Sequence, residues 1–156
     1  MLFRSTISCD IERLQWDELS KDEQQLIASA KEATYSAYAP YSNFFVGAAL
    51  RLQDDSVVIG NNQENASYPC GLCAERTALF AANSQYPHLQ VTALAIAARN
   101  AEGFLKTPIT PCGSCRQVML EVEHRQKAHI KIYLYGENGV YRIASSEELL
   151  PLQFTL

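Results

Sequence analysis

Two Cys-x-x-Cys pairs constrain this chain more than any other feature of its sequence. The first pair is Cys70-Gly-Leu-Cys73, and the second is Cys112-Gly-Ser-Cys115. Each pair runs directly into a pattern of small and apolar residues that is typical of an α-helix. Paired cysteines at the start of two helices indicate a metal site, so the fold is expected to bring the two helix N-termini together.

The rest of the composition favours a metal site over a disulfide framework. Four of the five cysteines lie in the two pairs, and the N-terminus has no basic-then-apolar signal pattern. We therefore expect a cytoplasmic protein with reduced thiols. The net charge of −4 argues against a nucleic-acid or membrane-surface partner, because both need a basic surface. No apolar run is long enough to cross a membrane.

Hydrophobic periodicity predicts the element order α-β-β-α-β-α-β-β-α. The first helix starts at a capping box from Ser20 to Glu23 and is stopped by Pro40. Helices alternating with strands predict a three-layer α/β/α fold with a mixed five-stranded sheet, in one domain spanning 1–156. Residues 1–20 form a weakly patterned N-terminal extension, with a candidate edge strand at 2–11. The five main strands are predicted at 44–52, 57–60, 91–98, 130–135 and 140–143.

Two kinds of zinc site fit the cysteines. In the first, all four paired cysteines form a closed structural site. In the second, only Cys73, Cys112 and Cys115 bind the metal, and Glu75 on the first helical turn transfers protons at the open position. The second kind is favoured because both pairs open helices, whose N-termini stabilise thiolates. Arg76, next to this group, can offset part of its negative charge.

A Cys-x-Glu motif followed by Pro-Cys-x-x-Cys is the arrangement of zinc nucleobase deaminases, with cysteine in place of their histidine. The sequence resembles the cytidine deaminases, specifically the short-chain class with three cysteine ligands. The resemblance runs from about Ala33 to Phe154 and rests on five ordered blocks. These blocks are Tyr38-Ala-Pro-Tyr-Ser-Asn-Phe-Phe-Val-Gly-Ala-Ala, Gly60-Asn-Asn-Gln-Glu-Asn-Ala, Cys73-Ala-Glu-Arg-Thr-Ala, Pro111-Cys-Gly-Ser-Cys-Arg-Gln and Leu149-Leu-Pro-Leu-Gln-Phe.

The resemblance implies a zinc-dependent hydrolytic deaminase. It would convert cytidine and deoxycytidine to uridine and deoxyuridine plus ammonia, in pyrimidine salvage. Zinc would be held by Cys73, Cys112 and Cys115. Glu75 would be the general acid/base, and Arg76 would hydrogen-bond the zinc thiolates.

The resemblance also implies a set of nucleoside-binding residues. Asn62 and Glu64 would hold the ribose hydroxyls, and Phe44 would pack against the pyrimidine. Ala74 would contribute a backbone N–H to the base. Phe154 would reach the ring from a neighbouring subunit, because the class forms homotetramers with shared active sites.

Two other functions remain open at this point. A deaminase for an aminonucleoside antibiotic such as blasticidin would share the zinc site, although the Asn62-x-Glu64 pair favours a plain ribose or deoxyribose. A zinc-stabilised binding module without enzymatic activity would use Cys70 as a ligand. The sequence assigns no role to Cys9 and does not separate cytidine from deoxycytidine.

Overall fold

Three helices and one mixed sheet make up the fold in the computed structural model, which describes residues 3–155. The helices are α1 (Lys21–Ala33), α2 (Ala74–Gln85) and α3 (Gly113–Gln126). The strands are β1 (Glu12–Leu14), β2 (Phe45–Leu52), β3 (Val57–Asn61), β4 (Val91–Asn100), β5 (Gly103–Phe104), β6 (Lys131–Gly136) and β7 (Gly139–Ile143). Their order in the sheet is β1-β7-β6-β4-β2-β3, and β5 pairs with β4. None of the helices within 3–155 has both the length and the apolar composition needed to span a membrane.

The predicted mixed α/β fold is confirmed, but the predicted count of five strands is wrong, because the sheet has seven. The two additional strands, β1 and β5, are three and two residues long, too short to produce an apolar pattern. The edge strand predicted at 2–11 is also wrong where it can be checked. Residues 3–11 have no regular structure, Leu2 lies outside the described residues, and the strand forms at Glu12–Leu14 instead.

The predicted start of α1 is confirmed. The Ser20 hydroxyl accepts a hydrogen bond from the Glu23 N–H at 3.3 Å, and the Glu23 carboxylate accepts one from the Ser20 N–H at 2.8 Å. The helix packs closely on β2, where a Cβ atom at Gly47 would lie 2.1 Å from the Ala30 carbonyl oxygen. Only glycine permits this approach between the two backbones.

Two clusters of buried side chains cover the sheet, one on each face. Leu50 packs in a cluster with Leu79 of α2 and Met119 of α3. Its strand neighbour Ala49 packs in a separate cluster with Ile27 of α1. Successive side chains of a strand point to opposite faces, so α1 lies on one face while α2 and α3 lie on the other. The three-layer arrangement stays a prediction, which this distribution supports.

A second close approach fixes α2 against the sheet. A Cβ atom at Gly60 of β3 would lie 2.4 Å from the Ala78 nitrogen of α2. The strand and the helix therefore touch through their backbones, and the chain between them must turn within a short distance. This turn carries the polar run 61–67 and the first cysteine pair to one end of α2.

A buried carboxylate, Glu123, connects α3 to two later segments. It accepts hydrogen bonds from the Ile130 N–H (2.5 Å), the Ser145 hydroxyl (2.9 Å) and the Ser146 hydroxyl (2.5 Å). We predict that Glu123→Ala lowers the free energy of unfolding by about 3 kcal/mol, because these buried donors lose their shared acceptor. Urea denaturation measures the change. Glu121→Ala, at an exposed position of the same helix, is the control, and an equal loss in both variants contradicts the prediction.

Candidate active site

The first cysteine pair ends at the N-terminus of α2. Cys73 immediately precedes the helix with extended backbone angles (φ −72°, ψ 154°), and Glu75 lies in the first turn. The unpaired N–H groups and the positive end of the helix dipole therefore lie beside the Cys73 sulfur, where they stabilise a thiolate. The side chain of Glu75 is buried, with 4% of the residue exposed.

The second cysteine pair has the same relation to α3. Cys112 precedes the helix, and Cys115 lies buried in its first turn. The Sγ atom of Cys112 lies 3.8 Å from that of Cys73 and 3.5 Å from that of Cys115. A tetrahedral zinc ion with zinc–sulfur bonds of about 2.3 Å needs sulfur–sulfur separations of about 3.8 Å. Cys73, Cys112 and Cys115, the three-cysteine group, therefore fit three ligand positions of zinc.

Cys70 is not part of this group. Within residues 3–155, the three-cysteine group is the one set of at least three candidate ligand side chains whose ligand atoms all lie within 4.8 Å of one another. Cys70 is exposed at the end of a 3₁₀ turn, Tyr68–Cys70. The arrangement thus favours the site with three protein ligands over the closed site with four.

Hydrogen bonds within the group favour the thiolate form of Cys73. The hydrogen bond from Cys115, supported by those from Arg76 and Cys112, lowers the pKa of Cys73 to about 5. The pKa of Cys115 is raised because its thiol bonds to Cys73 and is buried. The Arg76 Nη2 atom lies 3.7 Å from the Cys73 sulfur. Burial, with the charge of Cys73 nearby, raises the pKa of Glu75 above its ordinary value.

A cavity of about 530 Å³ opens beside Cys73, which forms part of its wall. This volume lies within the range of about 300–1,000 Å³ typical of small-molecule sites. We call this cavity the Cys73 pocket, and its walls also include Tyr41, Ser42, Asn62, Glu64, Tyr68 and Arg76. Part of the polar run 61–67 therefore lines a pocket.

Asn62 is held in place by the backbone around Phe44. Its Oδ1 atom accepts a hydrogen bond from the Val46 N–H at 2.8 Å, and its Nδ2 donates to the Phe44 carbonyl at 2.9 Å. An amide side chain offers two donors and two acceptor positions, so one of each stays free for a ligand. The structure thereby fixes the orientation of the Asn62 amide at the pocket wall.

Glu64 is held by the preceding loop. Its carboxylate accepts hydrogen bonds from the Ser42 hydroxyl and from the Tyr41 N–H, the latter at 2.9 Å. The hydrogen bond from Ser42 is the main cause that lowers the pKa of Glu64. The carboxylate is therefore charged at neutral pH and can accept a hydrogen bond from a ligand hydroxyl.

The other predicted substrate-binding residues do not form walls of the Cys73 pocket. Phe44 is half-buried and touches the site through its hydrogen bond to Asn62, while Ala74 is buried at the start of α2. Phe154 is 68% exposed. Its carbonyl oxygen accepts a hydrogen bond from Gln117 of α3 at 3.0 Å, which holds it outside the pocket of its own chain.

Several residues of the pocket wall have no role predicted from the sequence, among them Tyr41, Ser42 and Tyr68. The rings of Tyr41 and Tyr68 meet edge-on, with centroids 6.2 Å apart. Tyr41 and Ser42 lie in the same sequence block as Phe44, one of the five blocks that carry the family resemblance, and this block is the signal that could have indicated them. Tyr68 precedes Cys70 by two residues, and no pattern distinguishes it from a loop tyrosine.

Comparisons with known proteins agree with this geometry. The family model for the cytidine and deoxycytidylate deaminase zinc-binding region matches residues 20–130. The cytidine deaminase of Halalkalibacterium halodurans is 47% identical over 134 residues, which cover 86% of this chain and 95% of that protein. The chain belongs to the cytidine and deoxycytidylate deaminase family. The cytidine deaminase of Sporosarcina psychrophila is 40% identical, over 86% of this chain and 92% of that protein.

Solved structures of cytidine deaminases have the same fold. The structure from Burkholderia pseudomallei has a TM-score of 0.70 at 44% identity, covering 83% of this chain and 97% of that chain. The structure from Mycobacterium tuberculosis has a TM-score of 0.68 at 34% identity, covering 88% and 100%. The three-cysteine group lies inside the matched zinc-binding region. The enzyme class predicted from the sequence, a deaminase, and the predicted cofactor, zinc, are therefore confirmed for this member of the deaminase family.

Proposed function

We propose that this chain deaminates cytidine and deoxycytidine hydrolytically, giving uridine or deoxyuridine and ammonia. The observation that carries the proposal is that Cys73 belongs to two sites at once. It belongs to the three-cysteine group, and it forms a wall of the pocket that Asn62 and Glu64 also line. A nucleoside with its sugar at these two residues can therefore place its base at the metal group. The relatives named cytidine deaminase, which match over 86% of the chain, support this substrate.

Cys73, Cys112 and Cys115 would hold zinc as thiolates. When bound, zinc supplies Lewis acidity, which makes water a nucleophile near neutral pH. Three thiolates and Zn²⁺ carry a net negative charge that weakens this acidity. The Arg76 guanidinium, at 3.7 Å from the Cys73 sulfur, would offset part of that charge.

Glu75 would carry both protons of the attacking water. It first takes one proton from the water and gives it to the ring nitrogen beside the reacting carbon. The water oxygen bonds to that carbon, and Glu75 then moves the second proton to the amine. The carbon–nitrogen bond breaks, and the amine leaves as ammonia. The burial of Glu75 protects these transfers from exchange with bulk water.

Four residues would position the nucleoside. Asn62 and Glu64 would bind the sugar hydroxyls, because each has free hydrogen-bonding capacity at the pocket wall. The first N–H groups of an α-helix have no acceptor within the helix. The Ala74 N–H, in the first turn of α2, is one of them and would bind the base. Phe44, which is hydrogen-bonded to Asn62 through its carbonyl, would pack against the pyrimidine ring.

Phe154 would complete the pocket of a neighbouring copy. Its side chain is exposed, and its backbone is bonded to α3 outside the Cys73 pocket of its own chain. A contact with the substrate ring therefore requires a second subunit. The position of Phe154 is compatible with active sites shared between subunits, and the homotetramer that the resemblance implies is part of this proposal.

The proposal also includes the domain organisation, the cellular location and the metabolic role of the enzyme. It is a single domain spanning residues 1–156, with α1 on one face of the sheet and α2 and α3 on the other. It acts in the cytoplasm, where reducing conditions keep cysteine ligands as thiols. Its reaction converts one pyrimidine nucleoside into another, which fits a role in pyrimidine salvage.

The proposal is tested by incubating the purified zinc-loaded protein with cytidine, deoxycytidine and blasticidin in parallel. We expect loss of the cytosine ultraviolet absorbance with the first two compounds and none with blasticidin. Removing zinc with a chelator should abolish turnover, and added zinc should restore it. Turnover of blasticidin alone would favour the antibiotic deaminase, and turnover of none would contradict the proposal.

A further inference from the structure

Ser42 links the predicted sugar-binding residues to one another. Its hydroxyl donates a hydrogen bond to Glu64 and accepts one from the Phe44 N–H at 3.1 Å. Its own N–H donates to the second oxygen of Glu64 at 3.3 Å. The Phe44 carbonyl in turn accepts the hydrogen bond from Asn62. Glu64, Ser42, Phe44 and Asn62 therefore form one connected network beside the Cys73 pocket.

The hydroxyl proton of Ser42 is already used inside this network. A serine hydroxyl has a single proton, and here it is donated to Glu64. The carboxylate of Glu64 has about four acceptor positions, of which the Tyr41 N–H, the Ser42 N–H and the Ser42 hydroxyl take three. A sugar hydroxyl can therefore bind Glu64 directly, whereas Ser42 acts on the ligand through Glu64.

The backbone after Ser42 is shaped for this contact. Asn43 has φ of 53°, in the left-handed region that asparagine tolerates better than most residues. Its N–H donates to the Ala39 carbonyl at 3.0 Å, which closes the turn. The turn brings the Phe44 N–H back to the Ser42 hydroxyl. One side chain thus fixes both the Glu64 carboxylate and the backbone that leads into Phe44.

We propose that Ser42 is a positioning residue for the sugar end of the substrate. It holds the Glu64 carboxylate in the orientation that accepts a hydrogen bond from a sugar hydroxyl. Without the hydroxyl, the partly exposed Glu64 side chain gains other rotamers that turn its oxygens toward solvent, and binding must select among them. The inference rests on the proposed function, in which Glu64 contacts the sugar.

Single substitutions give the first test. Ser42→Ala should raise the KM for cytidine about tenfold with little change in kcat, because a charge-assisted hydrogen bond that orients a binding group is lost. Ser42→Thr keeps a hydroxyl and should restore most of the affinity. Ser56→Ala is the matched control: its hydroxyl also bonds a nearby carboxylate, that of Asp54 at 2.6 Å, but outside the walls of the Cys73 pocket.

A double-mutant cycle gives the second test. It distinguishes an effect of Ser42 that acts through Glu64 from a general effect on the structure. In a Glu64→Ala background, adding Ser42→Ala should change KM no further. The same insensitivity is expected with 2′,3′-dideoxycytidine, which lacks the hydroxyls that Glu64 would bind. A tenfold effect of Ser42→Ala that persists in either case would overturn the positioning role.

The outcomes separate this inference from the proposed function. If Glu64→Ala raises KM while Ser42→Ala leaves it unchanged, the positioning role is wrong and the proposed function stands. If Glu64→Ala leaves KM unchanged in an enzyme that deaminates cytidine, the sugar contact of Glu64 is wrong, and the role of Ser42 falls with it. If the zinc-loaded wild-type protein does not deaminate cytidine at all, the proposed function itself fails.

Discussion

Replacing Glu75 by glutamine should lower the turnover of cytidine by about 10³-fold or more while zinc stays bound. Glutamine has nearly the shape of glutamate, so it fits the buried site in the first turn of α2. It cannot take up a proton, and Glu75 is proposed to make two proton transfers in each cycle. A single general acid/base step is typically worth about 10²–10⁴-fold in rate. The loss should appear in kcat, measured by cytosine absorbance.

The control is the same substitution at an exposed turn, Glu102→Gln, which should leave the rate unchanged. Zinc content is measured in both variants, because loss of the metal would lower the rate for a different reason. A Glu75→Gln variant that retains zinc and turns over cytidine at a near-normal rate would contradict the proposed mechanism.

Serine at each position of the three-cysteine group should release the metal and abolish turnover. Each of Cys73, Cys112 and Cys115 supplies one sulfur of the group, in which neighbouring sulfurs lie 3.5–3.8 Å apart. A serine hydroxyl is a far weaker zinc ligand than a thiolate at neutral pH. The zinc dissociation constant should rise by more than the roughly 10–100-fold typical of changes in residues around metal ligands. Competition with a chelator measures it.

Cys70→Ser is the matched control for this series, since Cys70 lies in the same Cys-x-x-Cys pair as Cys73 but outside the group. It should retain zinc and activity. Equal zinc loss in Cys70→Ser and Cys73→Ser would instead favour the closed four-thiolate site and a structural role for the metal.

The parts of the fold that the sequence predicts well are those determined by neighbouring residues. Short local patterns predict the capping box at Ser20 and the helices that begin after Cys73 and Cys112, and the structure has all three. The number of strands is not predicted correctly from such patterns. β1 has only three residues, and it forms by pairing with β7, at the other end of the chain. Such a short segment has no strand preference until its partner is in place.

The same distinction applies to the site. The sequence determines the ligand types, the Cys-x-Glu spacing at Cys73 and the helix that follows. The five sequence blocks also determine the family. Tertiary structure decides that Cys112 meets Cys73 while Cys70, three residues before Cys73, stays outside. It also decides that Ser42 bonds Glu64, which is 22 residues away in the chain. The physical reason is that spacing along the chain sets local geometry only, whereas distances between separate elements are set by how α2 and α3 pack on the sheet.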